Sequence, residues 1–213
     1  MSNFYDRSYY GRADSIEDIR RLHPAKLREI QFLKQSILPK RDEKLLDIGC
    51  GEGRNAVFFA RNGYQVTAFD LAQDGIDKTK RLADKIGVEI EVFKANIIDY
   101  RLDEKYDIIF STGTLHYIPP ETREELFQNY KKFTTLNGIH MLSVFVEKPF
   151  IPPAPEKEKN SFQWYSGELL RLYHDWEINY CTEEIFDCMS SGIPHKHATN
   201  RILATNVVKG VKP

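Results

Sequence analysis

The strongest constraint on this chain is the run KLLDIGCGEG, Lys44 to Gly53. Leu45, Leu46 and Ile48 read as a short buried strand, Asp47 places a carboxylate near its end, and Gly49, Gly51 and Gly53 follow at alternate positions. Glycine tolerates positive φ and lets a backbone approach a ligand closely. Amide N–H groups in such a turn, at the start of a helix, favour negative or electron-rich groups. A second strand, YQVTAFD, ends at Asp70. An acid about 20 residues after the glycines is where nucleotide-type folds grip ribose hydroxyls.

The rest of the chain alternates in the same sense. Ser15 to Ile37 carries apolar residues at helical spacing, interrupted at Pro24, and predicts two helices forming an N-terminal helical cap over residues 1–40. Strands are expected at Lys44–Ile48, Gln65–Phe69, Val88–Phe93, YDIIFST and GIHMLSVFV. Helices are expected after the glycines (closed by Gly63), from Ala72 to Ile86 (closed by Gly87) and from Glu121 to Phe133. Residues 147–160, EKPFIPPAPEKEKN, read as a mobile proline-rich loop. Ser166 is expected to cap a short helix, and strands around Trp176–Tyr180 and Ala198–Val208 to close the fold as an antiparallel pair. The sum is an α/β domain: one seven-stranded, mainly parallel sheet with helices on both faces. Gly49–Gly53, Asp70, Asn96, Thr112 and Pro149 all fall at predicted carboxyl ends, where such sheets bind ligands.

Composition narrows the partners. The 213 residues suit a single domain, with 41% hydrophobic and 29% charged residues. The net charge of −1 with scattered Lys and Arg points away from nucleic acid and towards a small-molecule substrate. No apolar run reaches the roughly 20 residues of a membrane helix, and the polar, aromatic N-terminus does not read as a signal peptide. Cys50, Cys181 and Cys188 have no metal or redox spacing, and their odd number suits a reduced, cytoplasmic protein. A monomer or homodimer is expected.

The glycine spacing selects the ligand. A dinucleotide fingerprint is G-x-G-x-x-G, whereas this chain has G-x-G-x-G behind an acid. A carboxylate repels a pyrophosphate but suits an ammonium and a sulfonium. The motif resembles motif I of the class I methyltransferases that use S-adenosylmethionine (SAM). The resemblance extends along the chain from about Ser15. GCGEGRNAVFFARNGYQVTAFD, YDIIFSTGTLHYI and FQWYSGELLRLYHDWEINY resemble segments of the TehB-type tellurite-resistance methyltransferases. It implies a Rossmann-like methyltransferase fold, SAM as cofactor and S-adenosylhomocysteine as product.

On this reading Asp70 accepts hydrogen bonds from both ribose hydroxyls, and Asp47 with the backbone of Gly49 and Gly51 holds the amino-acid end. Cys50 lies in the same loop, as small-residue packing. Arg54, followed by Asn55, pairs with the SAM carboxylate, or else faces solvent. Leu71 contacts adenine, Asn96 and Ile97 flank it, and Thr112 meets the methionine end or the transferring methyl. Asn96 stands where the superfamily usually has Asp. Its side-chain oxygen can still accept from the adenine amino group.

The acceptor side is assigned to His195, His197 and Arg201 near the last strand, with His23 completing the pocket; these four are the candidate catalytic residues. In tellurite methyltransferases basic residues of this region are expected to hold the oxyanion. His195 and His197 alternate, so on a strand both face one side. Two histidines could bind a metal, but no third ligand is evident in the sequence, so none is assigned. Tyr5, Tyr9 and Tyr10 are candidates for an aromatic lid over the sulfonium. Tyr165 and Trp176 read as core. An organic thiol, hydroxyl or amine acceptor, and a non-catalytic SAM-binding module, stand as alternatives.

Overall fold

The computed structural model describes residues 43–155, 161–189 and 192–207. The expected N-terminal cap, His23 and the three tyrosines lie outside them, as do residues 156–160 of the proline-rich segment. The strands are β1 (Lys44–Ile48), β2 (Gln65–Asp70), β3 (Glu91–Lys94), β4 (Tyr106–Thr112), β5 (Thr134–Val146), β6 (Glu177–Cys188) and β7 (His195–Thr205). They form one sheet in the order β3-β2-β1-β4-β5-β7-β6. β7 pairs antiparallel with both β5 and β6, and the pairs from β3 to β5 are parallel. The helices are α1 (Arg54–Arg61), α2 (Gln73–Ile86), α3 (Pro120–Lys132) and a single turn, α4 (Glu168–Arg171), with a 3-10 turn at Leu115–Tyr117.

Alternation along the strands splits the core into two layers. Leu45, Ile108 and Leu203 face α1 through Ala56 and Phe59. Leu46, Ile48, Ile109 and Leu142 face the other way, onto Leu126, Phe127 and Tyr130 of α3 and onto Trp164, Leu169 and Tyr173. Fully burying a side chain of this size contributes about 1.5–3 kcal/mol, so both layers hold the sheet.

The structure refines several boundaries. β3 starts at Glu91, not Val88, because the Val88 amide donates to Ala83 O to close α2 (3.1 Å). β5 starts at Thr134, not Gly138. Thr134 pairs with Tyr106, and the Asn137–Gly138 turn becomes an irregularity inside the strand, with Asn137 at φ 64°. Gly167 at φ 81°, not Ser166, opens α4, and the Ser166 hydroxyl instead meets the Lys148 ammonium. β6 is longer than expected and β7 starts earlier, at His195, so His195 and His197 lie on a strand rather than between strands.

Candidate active site

Chain order reverses between β1 and β4, so their carboxyl ends border the crevice where open α/β sheets bind ligands. Gly49 follows β1 there, and Gly113 and Thr114 follow β4. A Cβ on Gly49 would lie 2.2 Å from Thr114 Oγ1, so the side chain of one strand end fills the volume that the other leaves. Gly51 differs. At φ 56°, a Cβ there would meet nothing within 4 Å, so the loop opens into free space at this residue.

The loop is stapled to β2. The Gly49 and Cys50 amides donate to Phe69 O at 2.9 and 3.0 Å, and the Gly51 amide donates to Asp70 Oδ2 at 2.8 Å. Asp70 Oδ1 accepts from the Ala72 amide at 2.9 Å. Thr79 of α2 donates to Gly51 O at 3.3 Å. This corrects one expectation: the Gly49 and Gly51 amides are already engaged within the loop. The glycines shape the turn and keep it thin.

Asp70 is buried, 7% exposed. Burial raises its carboxyl above the usual range, while the amides of Ala72, Gly51 and Leu71 pull the other way. Each oxygen accepts one backbone N–H and keeps lone-pair capacity for a ligand hydroxyl. Asp47 is buried deeper in β1. Leu71, beside Asp70, exposes 45% of its surface, an apolar patch next to an acid. Cys50 is buried, and desolvation pushes its thiol well above the ordinary value, so it is inert packing. Asn55 is buried on α1, whereas Arg54 is exposed.

The adenine-side candidates divide. Asn96 begins a turn in which its Oδ1 accepts from the Ile98 amide (3.1 Å) and its Nδ2 donates to Asp99 (2.9 Å). Ile97 is 6% exposed and belongs to the α3-side core, so its side chain is packing and only its backbone faces the turn's surroundings. Thr112 Oγ1 accepts from Ser143 Oγ at 2.8 Å, bracing β4 against β5.

The C-terminal basic residues have different partners. His195 Nε2 lies 2.9 Å from His197 Nε2. Arg201 lies four residues further along the strand, about 13 Å away at 3.3 Å per residue, and its guanidinium pairs with Glu184 at 2.5 Å. The sequence also hides two participants. His116, in the turn after β4, is 7% exposed and packs on Tyr117 and Phe145, with ring centroids at 4.3 and 5.7 Å. Phe145 in turn packs on His197 at 4.8 Å. Cys188 stands opposite His195 across the hairpin. The position of His116 right after a strand-four carboxyl end is the one signal that could have found it.

The FQWYSGELLRLYHDWEINY segment is a packing device. Trp164 is fully buried, donates to Leu115 O (3.1 Å) and lies under the Arg123 guanidinium at 3.9 Å. Arg123 pairs with Glu168. Tyr173 and Trp176 pack on His140, which burial pushes down to about 3. Tyr165, expected in the core, is 57% exposed, whereas Trp176 is buried. Among the described residues no helix is long and apolar enough to cross a membrane.

Comparison with known proteins agrees with this architecture. The chain is 30% identical over 136 residues to the probable S-adenosyl-L-methionine-dependent methyltransferase TehB of Haemophilus influenzae, covering 63% of this chain and 46% of that protein. It is 26% identical over 137 residues to a ubiquinone biosynthesis O-methyltransferase of Rickettsia bellii, covering 64% and 56%. The chain thus spans about half the length of the curated relatives it matches. The crystal structure of TehB from Haemophilus influenzae shares the fold, with a TM-score of 0.74 at 23% identity over 93% of this chain and 65% of that one. The family model described as "Tellurite resistance protein TehB" matches residues 31–202, and the chain belongs to that family.

Proposed function

We propose that this protein transfers a methyl group from SAM to a small-molecule acceptor, with a small oxyanion such as tellurite or selenite as the favoured acceptor. The observation that carries the reading is the buried Asp70 carboxylate beside the open space over Gly51, at the β1–β4 switch point. These residues fit the cofactor. Asp70 would take the ribose hydroxyls, Leu71 the adenine face and Asp47 the ammonium of the methionine end. Space over Gly51 admits the ligand without displacing protein. The bound cofactor supplies an electrophilic methyl on a sulfonium. The chain's own part is to hold the acceptor in line and to exclude water.

His116 and His197 stand nearest the carboxyl edge on the acceptor side, and an anion there would meet imidazole N–H donors. Membership of a tellurite-resistance family supports the oxyanion. The likeness to ubiquinone O-methyltransferases is the reason to test hydroxyl acceptors beside it. The deciding experiment incubates the purified chain with SAM and, separately, tellurite, selenite, small thiols and catechols, and measures S-adenosylhomocysteine. Acceptor-dependent product with tellurite or selenite is expected. Turnover with catechols alone overturns the oxyanion, and SAM binding without product under any acceptor overturns the enzyme in favour of a binding module.

A further inference from the structure

The tip of the β6–β7 hairpin gathers three side chains of metal-binding type, of which only His197 enters the acceptor reading above. Antiparallel register sets Cys188 opposite His195 and Phe186 opposite His197. Residues directly opposite share a face, as do residues two apart, so Cys188, His195 and His197 project to one side. Their ligand atoms lie within 4.8 Å of one another, and the two Nε2 atoms are 2.9 Å apart. In a tetrahedral zinc centre, the bond lengths put N–N at about 3.3 Å and S–N at about 3.6 Å. The three donors therefore need adjustments of an ångström or so, within reach of side-chain rotation on half-buried residues.

The His195 tautomer suits the role. His195 Nδ1 lies 2.7 Å from Ile193 O. A carbonyl only accepts, so Nδ1 carries the hydrogen, and in that tautomer the Nε2 lone pair accepts from His197 Nε2–H at 2.9 Å. A ring nitrogen fixed by a backbone carbonyl is the usual outer support of a metal-bound imidazole. His197 is wedged between Phe145 and Phe186, with ring centroids at 4.8 and 5.7 Å.

We infer that Cys188 Sγ, His195 Nε2 and His197 Nε2 bind a divalent ion of the zinc class. One thiolate and two imidazoles suit zinc or cobalt(II) rather than magnesium or calcium. Three protein ligands leave a fourth position for water or a small anion. Binding displaces the Cys188 thiol proton to solvent, moves the His197 ring hydrogen from Nε2 to Nδ1 through solvent, and forms one S–metal and two N–metal bonds, with no redox change. The ion clips the tip of the hairpin at the carboxyl edge of the sheet, beyond the Val146–Ala198 pair that ends the β5–β7 ladder.

The test uses the full chain stripped with chelator and titrated with cobalt(II) alone. A thiolate-to-cobalt charge-transfer band with intense visible bands of tetrahedral type is expected, saturating at one ion per chain and bleached by one equivalent of zinc. Cys188→Ser should abolish the charge-transfer band, while Cys181→Ser and Cys50→Ser retain it. His195→Ala and His197→Ala should each weaken zinc, measured against a chromophoric competitor, by at least about a hundredfold, the upper end of what an outer-sphere partner commands. Circular dichroism of each variant, with His197→Gln as a volume-conserving second choice, separates lost ligation from lost fold. No charge-transfer band in the wild type, a band that survives Cys188→Ser, or unchanged zinc affinity in both folded histidine variants each overturns the site.

Discussion

At the glycine loop, Gly51 meets Asp70 through a 2.8 Å bond between residues 19 apart, across one strand–helix–strand unit. At the hairpin tip, Cys188 meets His195 and His197 only because β6 and β7 pair in one register. The first region closes on itself. Its amides are committed to Phe69 and Asp70, and its shape follows from contiguous residues. The second depends on alignment, because a one-residue slip of β6 would turn Cys188 to the other face while every residue stayed in the chain. A site written in one turn tolerates little change of residue; a site written across a ladder tolerates little change of alignment.

The largest expected effect tests the register-built side. His140 on β5 contacts Thr134 Oγ1 at 2.7 Å and the Tyr173 hydroxyl at 2.5 Å, and burial lowers it from 6.5 to about 3. A base depressed in the fold stabilises above its unfolded value and loses that contribution as pH falls. Between pH 6.5 and 3 the wild type should therefore lose about 1.4 kcal/mol per pH unit from this group, on the order of 4 kcal/mol in all. Urea unfolding of wild type and His140→Gln across that range measures it. A difference between the two that does not vary with pH would sink the assignment.

Next comes the loop. Gly49→Ala forces a Cβ into Thr114 and a side chain onto positive φ, and should cost about 2–4 kcal/mol. Gly51→Ala carries only the backbone strain, about 1–2 kcal/mol, because its Cβ meets open space. Calorimetry should then find the reverse order for SAM, with Gly51→Ala, as purified and folded, binding worse than its stability loss implies. Equal stability losses at both positions would erase the distinction. Asp70→Ala should weaken SAM more than tenfold, since hydrogen bonds to a charged group are worth about 1.5–3 kcal/mol each. An unchanged dissociation constant would remove Asp70 from the ribose. The smallest effect belongs to Arg201→Ala. Its guanidinium is engaged by Glu184, so SAM affinity and turnover should stay within about threefold, under 1 kcal/mol. A collapse of turnover would return Arg201 to the acceptor site.

The same contrast explains what could be read from residues alone. That Asp47, the glycines and Asp70 meet at neighbouring strand ends was legible because their spacing is local and each has a separate physical reason. The α/β order followed from periodicity and helix-closing glycines. The engaged loop amides were not legible, since spacing reveals where an N–H is but not which carbonyl reaches it first. Cys188 was missed as a partner of His195 because six residues intervene and strand register is set by packing of the whole ladder. Arg201 joined the histidines on paper through proximity in sequence, whereas a strand carries four residues about 13 Å apart.

The stems of the proline-rich segment have a further consequence. The Glu147 amide donates to Trp164 O at 2.8 Å and the Phe162 amide to His116 O at 2.7 Å, while Trp164 is anchored to Leu115. The chain is tied down at Glu147 and again at Phe162 and Trp164, and Ile151 adds a contact with the core just after the first of these points. Lengthening such a span is inexpensive, about 0.6 kcal/mol for each doubling of a flexible loop. Descendants of this sequence can therefore gain or lose residues between Ile151 and Ser161 while the strands keep their places. Variation within the family is expected to accumulate there as differences in length.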